Sequence, residues 1–282
     1  MSMVPEPIEN QNALVLDAMN VAFRWKHGNK YNDFALDYLR TVESLAQSYN
    51  CGKIIITADL FKSKYRKELL PEYKAQRKEK FKDETPEERE KSNAFFEEYE
   101  KALELFSDKF LVLRYKEVEA DDVAAYICGN REKYGIEDIW LISSDKDWDL
   151  LIDDHVSRFS TVTRKESTVY NWEEFFDFPI EEYLSFKVLT GDNGDNIPGV
   201  PGIGPKRATE LINTYGSAFD IYDLLPMDSK YKYIQNLNDN KEQLMINYEL
   251  MDLVTFCGEA IEVAGHSLSE IDDRIMEYMN EN

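Results

Sequence analysis

Residues 13–17 read ALVLD, a short apolar run that stops on an aspartate. The run is too short for a helix and too apolar for a surface turn, so it reads as a strand buried on both faces. The same pattern recurs downstream. KIIITAD (residues 53–59) is a second strand, residues 110–113 a third, and DIWLISS (residues 138–144) another. Between the first two, residues 33–49 place Phe34, Tyr38, Val42, Leu45 and Tyr49 three or four apart, the spacing of an amphipathic helix. Residues 119–134 read as a further helix. Alternating strands and helices imply an α/β fold with a largely parallel sheet. Residues 156–161 and 168–170 would add strands at its later edge.

Some 50 residues without strand character separate the second and third strands. Such an insertion in a compact α/β unit is usually functional. Within it, residues 93–106 look helical. Beyond Trp172 strand signals stop, and short helices broken by Gly and Pro suggest a helical region from about residue 176 to 282, after a core of residues 13–175.

The 282 residues carry 55 acidic and 33 basic side chains, a formal net charge of −22. That balance alone would exclude a polyanion as partner. Its distribution reverses the inference locally: residues 62–82 hold nine Lys or Arg against three Glu, while residues 83–100 hold eight acids against two bases. No apolar run is long enough for a membrane span, the N-terminus lacks a secretory pattern, and three widely spaced cysteines fit a reducing cytoplasm.

Carboxylates fall where parallel sheets bind ligands, at the strand ends. Asp17, Asp59 and Asp145 end or follow strands. Glu119, Asp121 and Asp122 open a helix, Asp147 follows Asp145, and Asp192 and Asp195 lie in GDNGDNIPGVPGIGPKR (residues 191–207). Any one of them reads equally as a helix cap. If they converge, their repulsion must be relieved by protonation or by cations. An all-oxygen set without His or Cys selects hard ions, Mg²⁺ or Mn²⁺. Two such ions form an arrangement that cleaves phosphodiesters by activating water and offsetting charge. In the same stretch Gly202 and Gly204 precede Pro205, Lys206 and Arg207, a glycine turn opening a helix, suited to grip a nucleic-acid backbone without reading bases.

Taken in order, LVLDAMN, ITADL, LLPEYKAQR, VEADDVAAY, LISSDKDWDLL, LTGDNGDNIPGVPGIGPKRA and KYIQNLN resemble the 5′-nuclease superfamily of flap endonucleases and 5′-3′ exonucleases over about residues 13–260. The likeness is nearest to stand-alone bacteriophage flap endonucleases and to the 5′-nuclease domain of bacterial DNA polymerase I. It implies a PIN-like α/β metal-binding core, a helical arch near residues 62–105, and a helix-three-turn-helix (helix-hairpin-helix) near residues 198–216. It also implies a first metal site around Asp59, Glu119, Asp121, Asp122, Asp145 and Asp147, a second at Asp192 and Asp195, and Asp17 as the first-strand aspartate. Lys74 would contact the scissile phosphate with Arg77 beside it, making these two, with Asp145 and Asp147, the catalytic set. Tyr73 would position the substrate, Lys187 would meet a phosphate, and Gly202, Gly204, Lys206 and Arg207 would hold duplex DNA, with K⁺ at the turn.

The implied enzyme is a Mg²⁺-dependent monomer cutting 5′-flap, forked or nicked DNA in replication or repair, RNA primer removal included. A polymerase or single-strand binding protein would be its functional neighbour. An acid-rich arch should repel single-stranded DNA unless its acids face outward. Cleavage of RNA in RNA–DNA hybrids, and junction binding without cleavage, are the competing readings. The loop between Asp195 and Gly204 is expected to set the distance from cut to junction.

Overall fold

Leu14 and Leu16 point to one face of the sheet and Ala13 and Val15 to the other, and all are fully buried. This alternation makes β1 (Ala13–Asp17) the sheet's centre. The computed structural model describes residues 11–76 and 84–281. With β2 (Lys53–Leu60), β3 (Leu111–Lys116), β4 (Ile139–Ile142), β5 (Val156–Ser160) and β6 (Lys165–Ser167) it forms a sheet in the order β3-β2-β1-β4-β5-β6. All pairings are parallel except β5 with β6. Strand order reverses at β1: β2 follows on one side and β4 lies on the other. That crevice, at the strands' carboxyl ends, is where open α/β sheets bind ligands.

One face is covered by α1 (Ala18–His27), α2 (Ala35–Ser48) and α4 (Pro86–Ser107), and α3 (Lys64–Leu69) lies in the insertion. The opposite face is covered by α5 (Ala120–Gly129) and by the last two helices, α11 (Leu253–Val263) and α12 (Leu268–Asn280). Leu253, Ile261, Ile271 and Ile275 share a core with Val123 and Leu141. The chain end therefore returns to the sheet and does not extend a separate helical region. The segment between has its own core, built by α6 (Tyr183–Thr190), α7 (Pro205–Tyr215), α8 (Ala218–Leu224), α9 (Lys232–Asp239) and α10 (Lys241–Met251) around Val188, Leu211 and Leu237.

Three local expectations change. Residues 168–170 are not a strand: the Thr168 hydroxyl accepts from the Tyr170 amide at 3.2 Å and caps a 3-10 turn, so the edge strand ends at Ser167. The helix expected to reach residue 134 stops at Gly129, and a 3-10 turn ends on Gly135 at φ +69°. The helix expected at residues 93–106 begins earlier, at Pro86, where Thr85 and Glu88 form a capping box.

That last helix also limits the arch. Phe95, Tyr99, Ala102 and Phe106 are buried, and Phe95 stacks on Phe23 and Phe34 at 5.5 Å. Glu98, buried on the same side, accepts from the Ala35 amide at 3.1 Å and so caps α2. From Ser92 onward α4 is core. Glu87, Glu88, Glu90, Glu97 and Glu100 are exposed on this helix, and Glu84 just before it is half-buried. Among the described residues no helix is long and apolar enough to cross a membrane.

If α4 is core from Ser92, Phe95→Ala removes a fully buried ring and should destabilise the fold by about 3–5 kcal/mol. Urea unfolding reads the shift; a change below about 0.5 kcal/mol would mark a free-standing helix.

Candidate active site

Asp17 closes β1 and caps α1, accepting from the Asn20 amide at 3.1 Å and the Ser143 hydroxyl at 2.8 Å. Across the switch point, Asp145 begins the 3-10 turn Lys146–Leu151 after β4 and accepts from the Asp147 amide at 3.0 Å. Asp59, near the end of β2, accepts from the Ala120 amide at 2.7 Å at the start of α5. One residue on, Asp121 accepts from the Trp148 indole at 2.6 Å. Asp17, Asp59, Asp121 and Asp145 line one cavity of about 440 Å³ together with Lys74, Met19, Asn20, Phe23, Lys26 and Glu84.

The remaining acids flank this cavity in two ion-paired groups. Glu119, at the head of α5, accepts from the Lys74 ammonium at 2.8 Å and the Tyr73 hydroxyl at 2.8 Å. The same two donors reach Asp195, at 3.5 Å and 3.0 Å. Lys187 bridges Asp147 and Asp192, the latter at 3.3 Å. Asp192 also accepts from the Gly194 amide at 2.7 Å and the Asp195 amide at 3.2 Å, a tight turn that sets both acids.

The segment carrying Tyr73 and Lys74 is seated on that turn. The Lys74 amide donates to the Asp195 carbonyl at 2.9 Å, the Gln76 amide group to the Asn193 carbonyl at 2.8 Å, and Asn196 to the Glu72 carbonyl at 2.8 Å. Lys74 and Asn196 both adopt left-handed backbone, at φ +53° and +62°, to make the fit. Arg77 lies outside the described residues.

Asp122 departs from the expected ligand set. It is fully buried, and both its oxygens accept from Arg66 at 2.7 Å. Arg66 also donates to the Leu250 carbonyl at 3.0 Å, and its charge lies 3.6 Å from Glu119. A carboxylate spent on a bidentate buried pair holds α3 to α5 and does not face the cavity. Arg66 itself was hidden among the lysines of a basic run. Its position three residues after Ser63, which caps α3, marks it as a helical residue, but nothing local marks it as buried.

The charges are strained in opposite directions. Burial, then Asp59 and Asp145, push the Asp17 carboxyl up to about 8. Asp121 is raised by burial and by Asp145. Burial alone would raise Glu119 too, but Lys74 and Arg66 bring it down to about 2. Burial would lower Lys74, yet Glu119 and Asp195 hold its ammonium well above the ordinary range. Among the described residues no three acidic, His or Cys groups close on a single point as a metal cage. The acids instead ring an open cavity, spaced by two lysines. Counting Glu84 and Lys26 of the cavity wall, nine carboxylates face three ammonium groups, and an all-oxygen donor set of this charge fits hard divalent cations.

Away from the cavity, the 191–207 stretch divides in two. β7 (Gly191–Asp192) pairs with β8 (Ile197–Pro198), and the backbones pass so closely that a Cβ on Gly199 would lie 2.0 Å from the Thr190 carbonyl. Beyond it, Gly202 turns at φ +85° and Gly204 opens α7 with no atom near its absent Cβ. Lys206 and Arg207 are exposed there. Arg207 is preset by donating to the Gly202 carbonyl at 2.6 Å and lying over Tyr233 at 4.6 Å.

An Asp forced to ionise in this cleft opposes folding. The unfolded carboxyl titrates near 3.8 and the folded one near 8, so between these pH values the unfolded state holds the smaller proton share and gains stability as pH rises. Asp17→Asn should therefore be more stable than the parent at pH 8 in chelator. The gap should shrink by up to about 1.4 kcal/mol per unit as pH falls towards 4. Thermal unfolding across that range checks it; a gap independent of pH would assign the carboxyl an ordinary titration.

Comparison with known proteins agrees with this fold. Residues 12–177 match the family model of the 5′-3′ exonuclease N-terminal resolvase-like domain, and residues 178–274 that of the 5′-3′ exonuclease C-terminal SAM fold. The flap endonuclease of Escherichia phage T5 is 42% identical over 264 residues, covering 93% of this chain and 90% of that protein. DNA polymerase I of Bacillus subtilis is 27% identical over 247 residues, 85% of this chain and 26% of the polymerase. A crystal structure of the T5 flap endonuclease, as a pseudo-enzyme-product complex with DNA and metal ions, superposes with a TM-score of 0.91 over 96% of this chain and all of that one. With both family models accounting for the core and the helical segment, the chain belongs to the 5′-3′ exonuclease family.

Proposed function

We propose that this protein is a Mg²⁺-dependent, structure-specific 5′-nuclease that cuts DNA phosphodiesters at junctions of single strand and duplex, in replication or repair. The observation that carries the reading is the ring of carboxylates at the sheet's switch point, facing an open cavity, with a glycine turn and exposed cations at the far end of the stretch that holds Asp192 and Asp195. Asp17, Asp59, Glu119, Asp121, Asp145 and Asp147 would hold one cation and Asp192 with Asp195 a second. Bound there, divalent ions would supply an activated water and neutralise charge on the phosphate under attack.

The chain's own groups do the rest. Lys74, its ammonium now shared by Glu119 and Asp195, lines the cavity with Lys26; once those acids have another partner, it is free to pair with the scissile phosphate. Lys187 stands in the same relation to Asp147 and Asp192. Met19 and Phe23 give the cavity an apolar wall suited to a base that has left the stack. Gly204, Lys206 and Arg207 present backbone amides and charge to duplex phosphates, which fix position without reading sequence. The Pro201 and Gly202 carbonyls already accept from Asn236 and Arg207, so a K⁺ ion at this turn would share them.

A cavity of about 300 Å³ lined by Arg24, Arg40 and Arg164 lies beside the carboxyl end of β5 and adds a second basic surface for the polyanion. The three cysteines are free, which fits work in the cytoplasm.

A 5′-flap duplex offered with Mg²⁺ should be cut near the junction, and chelator should stop it. Asp145→Asn should lower kcat by at least about 1,000-fold while flap binding persists. Lys74→Ala should cost about 100–1,000-fold in kcat, as for loss of one charge-stabilising donor, with a smaller change in Kd. Metal-independent cutting, or loss of binding alone, would refute the assignment.

The turn makes a separate prediction. Lys206→Ala should weaken binding to all duplex sequences alike and reduce the slope of log K against log salt by about one. A sequence-dependent loss in a binding titration would contradict a backbone-only contact.

A further inference from the structure

Asp145 and Asp147 ride on a loop, residues 143–149, that leaves β4 at the switch point. Both ends of that loop are held by one guanidinium. Arg158, on β5, donates through Nε to Asp149 Oδ1 at 2.6 Å and through Nη1 to the Ser143 carbonyl at 2.9 Å. Its Nη2 donates to the Ser167 hydroxyl at 3.3 Å on the edge strand. Arg158 is 5% exposed and Asp149 4%. Two charges taken out of water at such depth are a poor source of stability, and apolar residues of similar volume often do as well. A buried pair whose guanidinium donates through all three of its nitrogens is better explained by what it fixes.

What it fixes is Ser143, itself fully buried. The Ser143 hydroxyl has one proton, donated to Asp17 Oδ2 at 2.8 Å, and it accepts from the Asp145 amide at 3.1 Å. One oxygen thus sets the distance between the carboxylate that ends β1 and the backbone of the carboxylate that follows β4, groups that would otherwise repel. Trp148, inside the same loop, donates to Asp121. From the clamp outward, the chain of contacts runs Asp149, Arg158, Ser143, and then Asp17 and Asp145.

We infer that Arg158, with its partner Asp149, is a positioning residue of the nuclease site: its planar fork ties both ends of the 143–149 loop and, through Ser143, sets Asp145 and Asp147 against Asp17 for a shared cation. Neither residue touches the cavity, and neither belongs to the ligand set proposed above. The inference rests on that functional reading. Groups that orient metal ligands typically contribute 10–100-fold in metal affinity or activity when removed.

The test uses the full chain. Arg158→Lys keeps the charge and loses the fork; Ser143→Ala leaves the ion pair intact and removes the onward link. Calorimetric titration with Ca²⁺ and no DNA reads the site without turnover. Flap binding in Ca²⁺ and cleavage in Mg²⁺ complete the comparison. Both variants should unfold within a few degrees of the parent and bind the flap within about twofold. Their cation affinity should fall about 10-fold or more and kcat about 10–100-fold. Unchanged cation affinity in a folded Arg158→Lys overturns the inference. If that variant does not fold, Ser143→Ala decides it, and an unchanged titration there overturns it equally. If the parent fails to cut the flap, the functional reading falls, and the calorimetry still decides the positioning role.

Discussion

Repulsion among carboxylates at the end of one sheet is the constraint that the rest of the molecule answers. Two unit charges 4 Å apart interact by about 4 kcal/mol at an effective dielectric of 20. Several such contacts would pull the strand ends apart. Three remedies operate side by side. Hydrogen-bond donors hold Asp17, Asp59, Asp121 and Asp145 in place. Buried cations neutralise others: Arg66 for Asp122, Lys74 for Glu119 and Asp195, Lys187 for Asp147 and Asp192. Asp17 shifts towards its protonated form. The lysines sit between the acids in the places where cations would be electrostatically favoured, so site and counter-charge are already matched.

The second consequence is mechanical. Lys74 lies in the long insertion and Asp195 in the helical region, some 120 residues apart, yet backbone and side-chain bonds join residues 72–76 to residues 193–196. The insertion's base and the acid pair are thereby tied together, with Tyr73 bridging Glu119 and Asp195.

Much of this was legible beforehand, for identifiable reasons. β1, β2 and β4 announce themselves because strands buried on both faces leave unbroken apolar runs. The acids are conspicuous because they follow those runs. Thr85-Pro-Glu-Glu is an equally clear helix start, although the apolar periodicity only becomes visible at Phe95. What could not be read were the partners. Arg66 looks like its neighbouring lysines, Arg158 like any charged residue on a strand, and Ser143 like a polar end to β4. Their roles arise from contacts across 56, 9 and 126 residues of chain, which no local pattern encodes. The return of α11 and α12 to the sheet was hidden similarly, since an amphipathic helix does not declare which core it completes.

The opposed signs within residues 191–207 follow from the same electrostatics. Acids and bases so close in sequence would cancel if the chain between them were flexible. It is not: the β7–β8 ribbon leaves no room for a side chain at Gly191 or Gly199, and Asn247 fastens both sides by donating to the Val188 and Pro198 carbonyls at 3.0 and 2.8 Å. Gly191 and Gly199 are therefore structural necessities, whereas Gly204 is open and free to meet a ligand. A stiff ribbon keeps Asp192 and Asp195 at the cavity and Lys206 and Arg207 at the far turn. Each end has its own neighbours: Lys74 and Lys187 for the acids, and Tyr233 and the Gly202 carbonyl for Arg207.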